Sequence, residues 1–335
     1  MLPHAFDPLD RPSRPIVIAH RGASGYRPEH TLAAYELAIE QGADFIEPDL
    51  VSTSDGVLVA RHEGNLIATT DVADHPRFAD RYCTKVIDDQ EATGWFVEDF
   101  SYDELCSLRA IERLPHLRPA NSFYNGQFAI PRFEEILTLA AARSNSERTI
   151  GVYPETKHPS YFRSLGLPLE PGLLHCLDKA GMNDRSMPIF IQSAEIQNLT
   201  DLRSVTEVPL IQLIKPAGGP ADNPTTTYEQ MLTRSGIEAI AAYADGIGPA
   251  KSTVTVELVD HAHELGLLVH PWTFRKENCF LDAPYRSSAD VNAAGDLNAE
   301  IQHYLNIGAD GLFCDFPDIA NSAIGQTTMT QPVHG

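Results

Sequence analysis

Short apolar runs alternate with amphipathic stretches along most of the chain. Nine runs have the length and residue types of β-strands: Ile16 to Ala19, Phe45 to Val51, Val57 to Ala60, Thr149 to Tyr153, Pro188 to Ile191, Pro209 to Ile214, Gly246 to Ile247, Leu267 to Val269 and Gly311 to Cys314. Helical periodicity lies between most of them, at Thr31 to Gln41, Phe133 to Arg143, Gly172 to Ala180 and Val254 to Leu265. This alternation is typical of repeated βα units, so we predict an α/β fold in which a parallel sheet closes as a TIM (β/α)8 barrel.

One connection between these runs is too short for a parallel crossover. Residues 52–56 join the second run to the third, and a crossover between parallel strands takes about a dozen residues or more. We therefore predict that Val57 to His62 folds back on Phe45 to Val51 as a hairpin around Asp55-Gly56. This pairing places His62 roughly opposite Glu47, although a slip of one residue would turn its side chain to the other face.

The regular alternation fails over one long segment. From about residue 63 to residue 131 the chain is rich in aspartate, aromatic and turn residues, as in Thr70 to Pro76. A connection of this length is rarely unstructured inside a compact domain. We predict that residues 1–335 form a single barrel domain and that residues 63–131 form a small inserted subdomain over the barrel mouth.

The acidic composition argues against nucleic acid as a partner. The chain has a formal net charge of −21 and no cluster of lysine and arginine, so most of its surface repels a phosphate backbone. A small anionic substrate remains compatible with this charge, since a bound divalent cation with nearby arginine and lysine reverses the field locally. We expect a small-molecule substrate, and the sequence leaves the oligomeric state open.

Cysteine spacing and hydropathy limit the compartment. The chain has 5 cysteines, scattered singly, which argues against a disulfide framework or a zinc knuckle. No apolar run is long enough to cross a bilayer, and the first residues lack the pattern of a secretory signal. The sequence as written predicts a cytoplasmic protein with no integral membrane segment. A periplasmic protein is the alternative if the numbering begins at a processed form.

Candidate catalytic residues lie where the barrel strands should end. His20 and Arg21 close the first apolar run, at the end of the barrel that carries chemistry in this fold. A lone histidine there is more often structural. The adjacent arginine, suited to binding phosphoryl oxygens, and Gly22, which lets the backbone approach a ligand, favour a catalytic interpretation.

Carboxylates at alternate positions indicate a metal site. Glu47 and Asp49 are two residues apart on one strand, so their side chains point the same way, and the apolar flanks argue against a surface strand. Glu155 and Lys157 repeat this spacing after another apolar run, although a surface ion pair is the alternative for them. Oxygen ligands favour a hard ion, Ca²⁺ or Mg²⁺, over zinc.

Together these residues carry a family resemblance. The matching motifs are His20 to Thr31, Glu47-x-Asp49 with His62, Tyr153 to Lys157, Tyr243 to Pro249, Val269 to Thr273 and Asp310 to Pro317. This ordered set resembles the glycerophosphodiester phosphodiesterase family, specifically its long, calcium-dependent, periplasmic bacterial type. Three positions depart from the usual pattern: His30 stands for Asn, Glu63 for Asp and Cys314 for Thr.

The resemblance implies a barrel of the phospholipase-C-like phosphodiesterase type that hydrolyses glycerophosphodiesters to sn-glycerol 3-phosphate and an alcohol. By position, His20 and His62 are the implied acid/base pair, and Arg21 and Lys157 the implied phosphate binders. Three carboxylates are the implied ligands of one divalent cation, Ca²⁺ in the long bacterial type, with Mg²⁺ as the alternative: Glu47, Asp49 and Glu155.

Three further residues have two interpretations each. Gln192, at a strand end, hydrogen-bonds substrate or satisfies backbone groups. Trp272 forms an apolar wall for the glycerol carbons or packs in the core. Glu29 orients His20 or Arg21, or favours the start of the following helix through its dipole, and we favour the helix interpretation.

Two alternatives to the leading function remain at this point. One is a lipid-active phosphodiesterase of the sphingomyelinase D or lysophospholipase D kind, against which a segment that covers the mouth would argue. The other is a noncatalytic barrel that binds glycerophosphodiesters. Two intact histidines, His20 and His62, argue against a pure binder, which has no need of two proton carriers.

Overall fold

A computed structural model describes residues 14–330 of the chain. Its strands are β1 (Ile16–His20), β2 (Phe45–Glu47), β3 (Asp49–Ser52), β4 (Leu58–Ala60), β5 (Cys83–Ile87), β6 (Gln90–Gly94), β7 (Gly151–Val152), β8 (Glu155–Thr156), β9 (Ile191–Ser193), β10 (Leu210–Ile214), β11 (Gly246–Pro249), β12 (Leu268–Val269) and β13 (Gly311–Cys314). Its α-helices are α1 (Leu32–Glu40), α2 (Tyr102–Leu105), α3 (Phe133–Arg143), α4 (Pro159–Ser164), α5 (Leu169–Ala180), α6 (Ile196–Arg203), α7 (Tyr228–Met231), α8 (Arg234–Ile240), α9 (Val256–Glu264), α10 (Leu297–Asn306) and α11 (Pro317–Thr330).

Parallel pairing closes the predicted barrel. Around the ring the order is β1, β2 with β3, β7 with β8, β9, β10, β11, β12 and β13, and β13 pairs in parallel with β1. Between β12 and β13 the ring is completed by the Asp310 amide, which donates to the Val269 carbonyl at 3.0 Å. The predicted barrel is confirmed, since eight parallel strands with helices between them form its wall.

Two prolines interrupt barrel strands. The sequence pattern predicts one continuous strand across Pro48, and it ends the strand before Pro154. Pro48 separates β2 from β3, and Pro154 separates β7 from β8, because proline has no amide hydrogen to donate to the ladder. Their carbonyls still pair: Pro48 accepts from the Glu155 amide and Pro154 from the Gln192 amide, both at 2.9 Å. The strands therefore stay in register across each break.

The predicted hairpin is present, with one correction. β4 runs antiparallel to β3, and Leu50 stands opposite Ala60. Continued by two residues, this register sets His62 opposite Pro48 rather than Glu47. The reason is the turn, in which the Thr53 amide donates to the Val57 carbonyl, so that Asp55 lies at its centre. This turn displaces β4 by one residue from the predicted pairing.

Aromatic side chains fill the barrel interior. Phe45, Tyr153, Phe190 and Phe313 are buried in one cluster, and the Tyr153 and Phe190 rings stack with centroids 4.9 Å apart. The helices cover the outside of the barrel with their apolar faces. A packed interior of this kind is a floor rather than a pore, so a ligand has access from the strand ends.

Residues 63–131 fold into short elements of their own. They contain the hairpin β5–β6, helix α2 and several 3₁₀ turns. Apolar side chains of this segment, among them Phe78, Val97 and Phe100, join the same buried cluster as residues of the barrel and its helices. Its standing as a separate subdomain stays a prediction, but it packs firmly against the barrel.

Candidate active site

A cavity of about 590 Å³ opens at the carboxyl ends of the barrel strands. It brings together eight of the nine predicted site residues: His20, Arg21, Glu47, His62, Glu155, Lys157, Gln192 and Trp272. The ninth, Asp49, is 1% exposed and forms ion pairs with Arg21 and Lys157, which line that cavity. A larger cavity of about 1010 Å³ adjoins it and shares Glu155 and Lys157.

Strand register brings these side chains together. His20 at the end of β1 stands beside Glu47 at the end of β2. On the neighbouring strands Asp49 stands beside Glu155, and Glu155 beside Gln192. Because the strands are parallel, residues at matched positions project from the same end of the barrel.

Three buried carboxylates form a compact cluster. Oxygen atoms of Glu47, Asp49 and Glu155 all lie within 4.8 Å of one another. Burial, with the negative charges of Asp49 and Glu155, raises the pKa of Glu47 well above its usual range. Burial also raises the pKa of Glu155 to about 7. Like charges held this closely in the interior require a cation, or a proton, to be stable.

Two cations border the carboxylate cluster. Lys157 Nζ lies 2.9 Å from Glu155 Oε1 and 3.8 Å from Asp49 Oδ1. Arg21 has a left-handed φ of 61°, its backbone amide donates to Glu47 Oε2 at 2.8 Å, and its Nε lies 3.3 Å from Asp49 Oδ2. Although burial alone would raise the pKa of Asp49, Lys157 and Arg21 hold it well below its usual range.

His20 is held by a carboxylate. Its Nδ1 lies 2.6 Å from Oδ1 of Asp315, the residue directly after β13. Burial, followed by the charge of Arg21, lowers the pKa of His20 to about 4, so the ring is neutral at pH 7. With the Nδ1 hydrogen donated to Asp315, the unprotonated Nε2 is free to accept a proton.

The ring of His62 is also held by a carboxylate, that of Glu63. Its Nδ1 lies 2.7 Å from Glu63 Oε1, and its side chain is 30% exposed. Burial and the charges of Arg21 and Lys157 lower the pKa of His62 to about 3. Both predicted proton carriers are therefore histidines with a carboxylate at Nδ1 and a neutral ring in the free protein.

Sequence reasoning missed the residues that hold this site in place. Asp315 was part of a recognised motif but was assigned no role, and Arg118, which donates to its Oδ2 at 2.6 Å, lies in a segment without periodicity. His30 is fully buried, and its ring nitrogens hydrogen-bond with Asp49 Oδ2 at 2.9 Å and Tyr35 Oη at 2.8 Å. The sequence signals were the place of Asp315 at a strand end and the departure of His30 from the family pattern.

The favoured interpretation of Glu29 is wrong. The N-cap of α1 is Thr31, whose side chain accepts from the Ala34 amide, and Glu29 lies outside the helix. Its carboxylate instead accepts from Arg21 Nη1 at 3.0 Å and from Arg113 Nε at 2.8 Å. A buried arginine nearby outweighs the weak field of a helix terminus, so Glu29 orients Arg21.

The two remaining predicted residues line the cavity in different ways. Gln192 is 1% exposed, and its Nε2 donates to Glu47 Oε1 at 3.1 Å. Its Oε1 is buried without a hydrogen-bond partner among residues 14–330. Trp272 is half-buried and donates from Nε1 to the Gly248 carbonyl at 2.7 Å, which fixes the ring as part of the wall.

The donor set fits a hard divalent cation. Three carboxylates lie in one buried cluster, and the free Oε1 of Gln192 is the buried oxygen next to it that lacks a partner within the described chain. Ca²⁺ and Mg²⁺ take oxygen ligands of these kinds and complete their coordination with water or substrate phosphate. Such an ion would relieve the repulsion that raises the pKa of Glu47.

Comparison with known proteins identifies the family. Residues 20–319 match the model of the glycerophosphoryl diester phosphodiesterase family. The chain belongs to this family. It is 37% identical to glycerophosphodiester phosphodiesterase GDPD6 of Arabidopsis thaliana over 91% of this chain and 84% of the relative. It is 30% identical to a glycerophosphodiester phosphodiesterase of Haemophilus influenzae over 90% of this chain and 88% of the relative.

Solved structures share the barrel of this family member. A phosphodiesterase of Oleispira antarctica, in complex with the product sn-glycerol-3-phosphate, has a TM-score of 0.66 at 20% identity, over 93% of this chain and 97% of that chain. A glycerophosphodiester phosphodiesterase of Thermotoga maritima has a TM-score of 0.54 at 16% identity, over 92% and 97% of the two chains. Within residues 14–330, no helix has the length and apolar content needed to cross a membrane.

Proposed function

We propose that this family member hydrolyses glycerophosphodiesters, such as glycerophosphocholine and glycerophosphoethanolamine, to sn-glycerol 3-phosphate and the free alcohol. One observation carries the proposal: two members of a buried cluster of three carboxylates line the same cavity as two carboxylate-paired histidines. The relatives named as glycerophosphodiester phosphodiesterases support it, as does the product held by the Oleispira antarctica protein.

The chain's own residues supply binding and proton transfer. Arg21 and Lys157 neutralise the phosphodiester, and Glu29 and Asp49 hold the Arg21 guanidinium in place for this contact. One ring of the His20 and His62 pair is neutral and accepts at Nε2 the proton of the attacking hydroxyl, whose oxygen bonds to phosphorus. The other ring is protonated once substrate is bound, and it gives its proton to the oxygen of the departing alcohol as the bond from that oxygen to phosphorus breaks. Binding of the anionic substrate offsets the nearby positive charges, which raises the pKa of the ring that must donate.

Glu47, Asp49 and Glu155 would hold one divalent cation, and Ca²⁺ is our proposed ion, with Mg²⁺ as the alternative. When bound, the ion supplies positive charge at the phosphoryl oxygens. Gln192 braces Glu47 through its Nε2 and leaves its Oε1 for a substrate hydroxyl or the ion. Trp272 provides the apolar wall for the glycerol carbons.

The test is release of sn-glycerol 3-phosphate from glycerophosphocholine by chelator-treated protein, with Ca²⁺, Mg²⁺ or no metal restored. Lysophosphatidylcholine is the rival substrate. We expect turnover of the small diester only with a divalent ion present. Cleavage of the lipid alone would favour a lipid-active phosphodiesterase, and binding without turnover of either compound would favour a noncatalytic barrel.

A further inference from the structure

Arg118, from the 63–131 segment, contacts the two residues that hold His20, Asp315 and Ser24. Its Nη2 donates to Asp315 Oδ2 at 2.6 Å, while the other oxygen of Asp315 lies 2.6 Å from His20 Nδ1. Its Nη1 donates to the Ser24 carbonyl at 3.1 Å, and the Ser24 hydroxyl donates to the His20 carbonyl at 2.8 Å. Arg118 is thus linked to His20 in two ways: through Asp315 to the His20 ring, and through Ser24 to the His20 backbone.

Further contacts fix Arg118 itself. Its side chain is 4% exposed, and its Nε donates to the buried Glu277 at 2.8 Å. Its guanidinium lies over the Phe316 ring, 5.3 Å from the centroid. An arginine with all its groups engaged has one geometry, so it determines the orientation of the carboxylate it binds.

Arg113, from the same segment, reaches Arg21 in a parallel way. Its Nε donates to Glu29 Oε2 at 2.8 Å, and Glu29 Oε1 accepts from Arg21 Nη1 at 3.0 Å. The Arg113 side chain is 29% exposed, far more than Arg118, so water competes for its contact. Although burial alone would raise the pKa of Glu29, Arg21 and Arg113 hold it well below its usual range, and Glu29 stays ionised.

We propose that the 63–131 segment is a working part of the active site, in which Arg118 is a positioning residue for proton transfer by His20 and Arg113 a positioning residue for phosphate binding by Arg21. The proposal rests on the proposed phosphodiester hydrolysis. It assigns the segment a role in the chemistry rather than only in covering the mouth.

The two arginines should affect different kinetic constants. His20 acts on a proton that moves only in the transition state, so loss of Arg118 lowers kcat and leaves KM nearly unchanged. Arg21 binds the phosphate in the ground state as well, so loss of Arg113 raises KM and leaves kcat nearly unchanged. Loss of an outer partner of this kind typically costs about 10–100-fold, and we expect the smaller effect for the more exposed Arg113.

The experiment compares Arg118→Met and Arg113→Met with Arg81→Met, by steady-state hydrolysis of glycerophosphocholine with Ca²⁺. Arg81 is a matched control because its Nη1 donates to Glu104 Oε2 at 2.8 Å inside the segment, away from the cavity. A change in both constants for all three variants, or in neither constant for Arg118→Met, would overturn the proposal. Should Arg118→Met fail to fold, Arg118→Lys replaces it, with an expected kcat between wild type and the 10–100-fold loss.

A second readout does not depend on turnover. Arg118 and His20 bind opposite oxygens of Asp315, so removal of Arg118 should release that carboxylate and shift the NMR resonances of the His20 ring. An unshifted His20 in a folded Arg118 variant refutes the positioning role. Absence of turnover by the wild-type protein refutes the proposed hydrolysis and leaves the NMR result to decide the positioning role.

Discussion

His20 Nδ1 and Asp315 Oδ1 lie 2.6 Å apart, although 295 positions separate the two residues in the chain. Closure of the barrel creates this contact. β13 pairs directly with β1, and His20 ends β1 where Asp315 follows β13. The contact selects the tautomer of His20, since the Nδ1 hydrogen is donated to the carboxylate and Nε2 remains a base.

The His20–Asp315 contact predicts the effect of Asp315→Asn. An amide oxygen or nitrogen at this position holds the ring less firmly and allows the wrong tautomer, so kcat should fall on the order of 10²–10⁴-fold. Steady-state hydrolysis of glycerophosphocholine measures the change. A variant that folds as wild type and retains its full kcat would show that the carboxylate has no part in the reaction.

The carboxylate cluster predicts that Glu155 binds the ion and that Glu195, outside the cluster, does not. Glu155→Gln should weaken Ca²⁺ binding, as measured by calorimetry on chelator-treated protein, because it removes one anionic ligand. Glu195→Gln is the matched control: Glu195 is also buried, and burial likewise raises its pKa to about 7, but it lies outside the cluster. Equal affinities in the two variants would exclude Glu155 as a ligand.

Ion binding should also stabilise the fold. A ligand at about 100 times its Kd stabilises the folded state by about 2.7 kcal/mol. We therefore expect the Tm of chelator-treated protein to rise on addition of Ca²⁺ and the rise to be lost in Glu47→Gln. A Tm that does not respond to Ca²⁺ or Mg²⁺ would contradict the assignment of the cluster as an ion site.

A pH-dependent contact ties the tip of the hairpin β5–β6 to the barrel. Asp88 Oδ2 lies 2.6 Å from His158 Nδ1. Although burial alone would lower it, Asp88 and Glu63 raise the pKa of His158 from 6.5 to about 9. Because the folded-state pKa is raised, the stability that this contact gives is complete below pH 6.5 and is lost as the pH rises through 9.

The Asp88→Asn variant tests that contact. Its free energy of unfolding, from urea titration, should fall by about 1.5–3 kcal/mol below pH 6.5, and the difference from wild type should shrink between pH 6.5 and pH 9. Asp89→Asn, at the neighbouring tip position, serves as the control. A difference that stays constant over this range would mean that His158 is not charged in the folded protein.

The aromatic floor of the barrel predicts a large stability effect away from the chemistry. Phe190 is 1% exposed and packs between Phe45 and Tyr153, with centroids 5.2 and 4.9 Å away. Phe190→Ala should lower the free energy of unfolding by about 3–5 kcal/mol. Phe123→Ala, at a side chain that is 82% exposed, should change it by less than about 0.5 kcal/mol. Similar values for the two variants would contradict the packed interior.

Local patterns predicted the residues that sit on strand ends. The alternate spacing of Glu47 and Asp49, repeated at Glu155 and Lys157, follows from the period of a strand and needs no knowledge of distant contacts. The apolar runs likewise gave the barrel, and helix α3 has the predicted bounds, Phe133 to Arg143. The single-residue error in the hairpin arose because sequence does not reveal how a turn closes.

Contacts between distant parts of the chain were not predictable in this way. Asp315 meets His20 only because the barrel closes, and Arg118 meets Asp315 across 197 positions from a segment with no periodicity. Glu29 was assigned to a helix start because it lies just before one, and its partner Arg113 is 84 positions away in the chain. Prediction of the side chains that contact the candidate catalytic residues therefore requires the fold, whereas the candidate catalytic residues themselves carry a local signal.

The most direct test of the account compares wild type with His20→Ala for release of sn-glycerol 3-phosphate from glycerophosphocholine in the presence of Ca²⁺. We predict steady turnover by the wild type and a loss on the order of 10²–10⁴-fold in kcat for His20→Ala, with folding and Ca²⁺ affinity unchanged. Turnover by a folded His20→Ala at the wild-type rate would contradict proton transfer by His20.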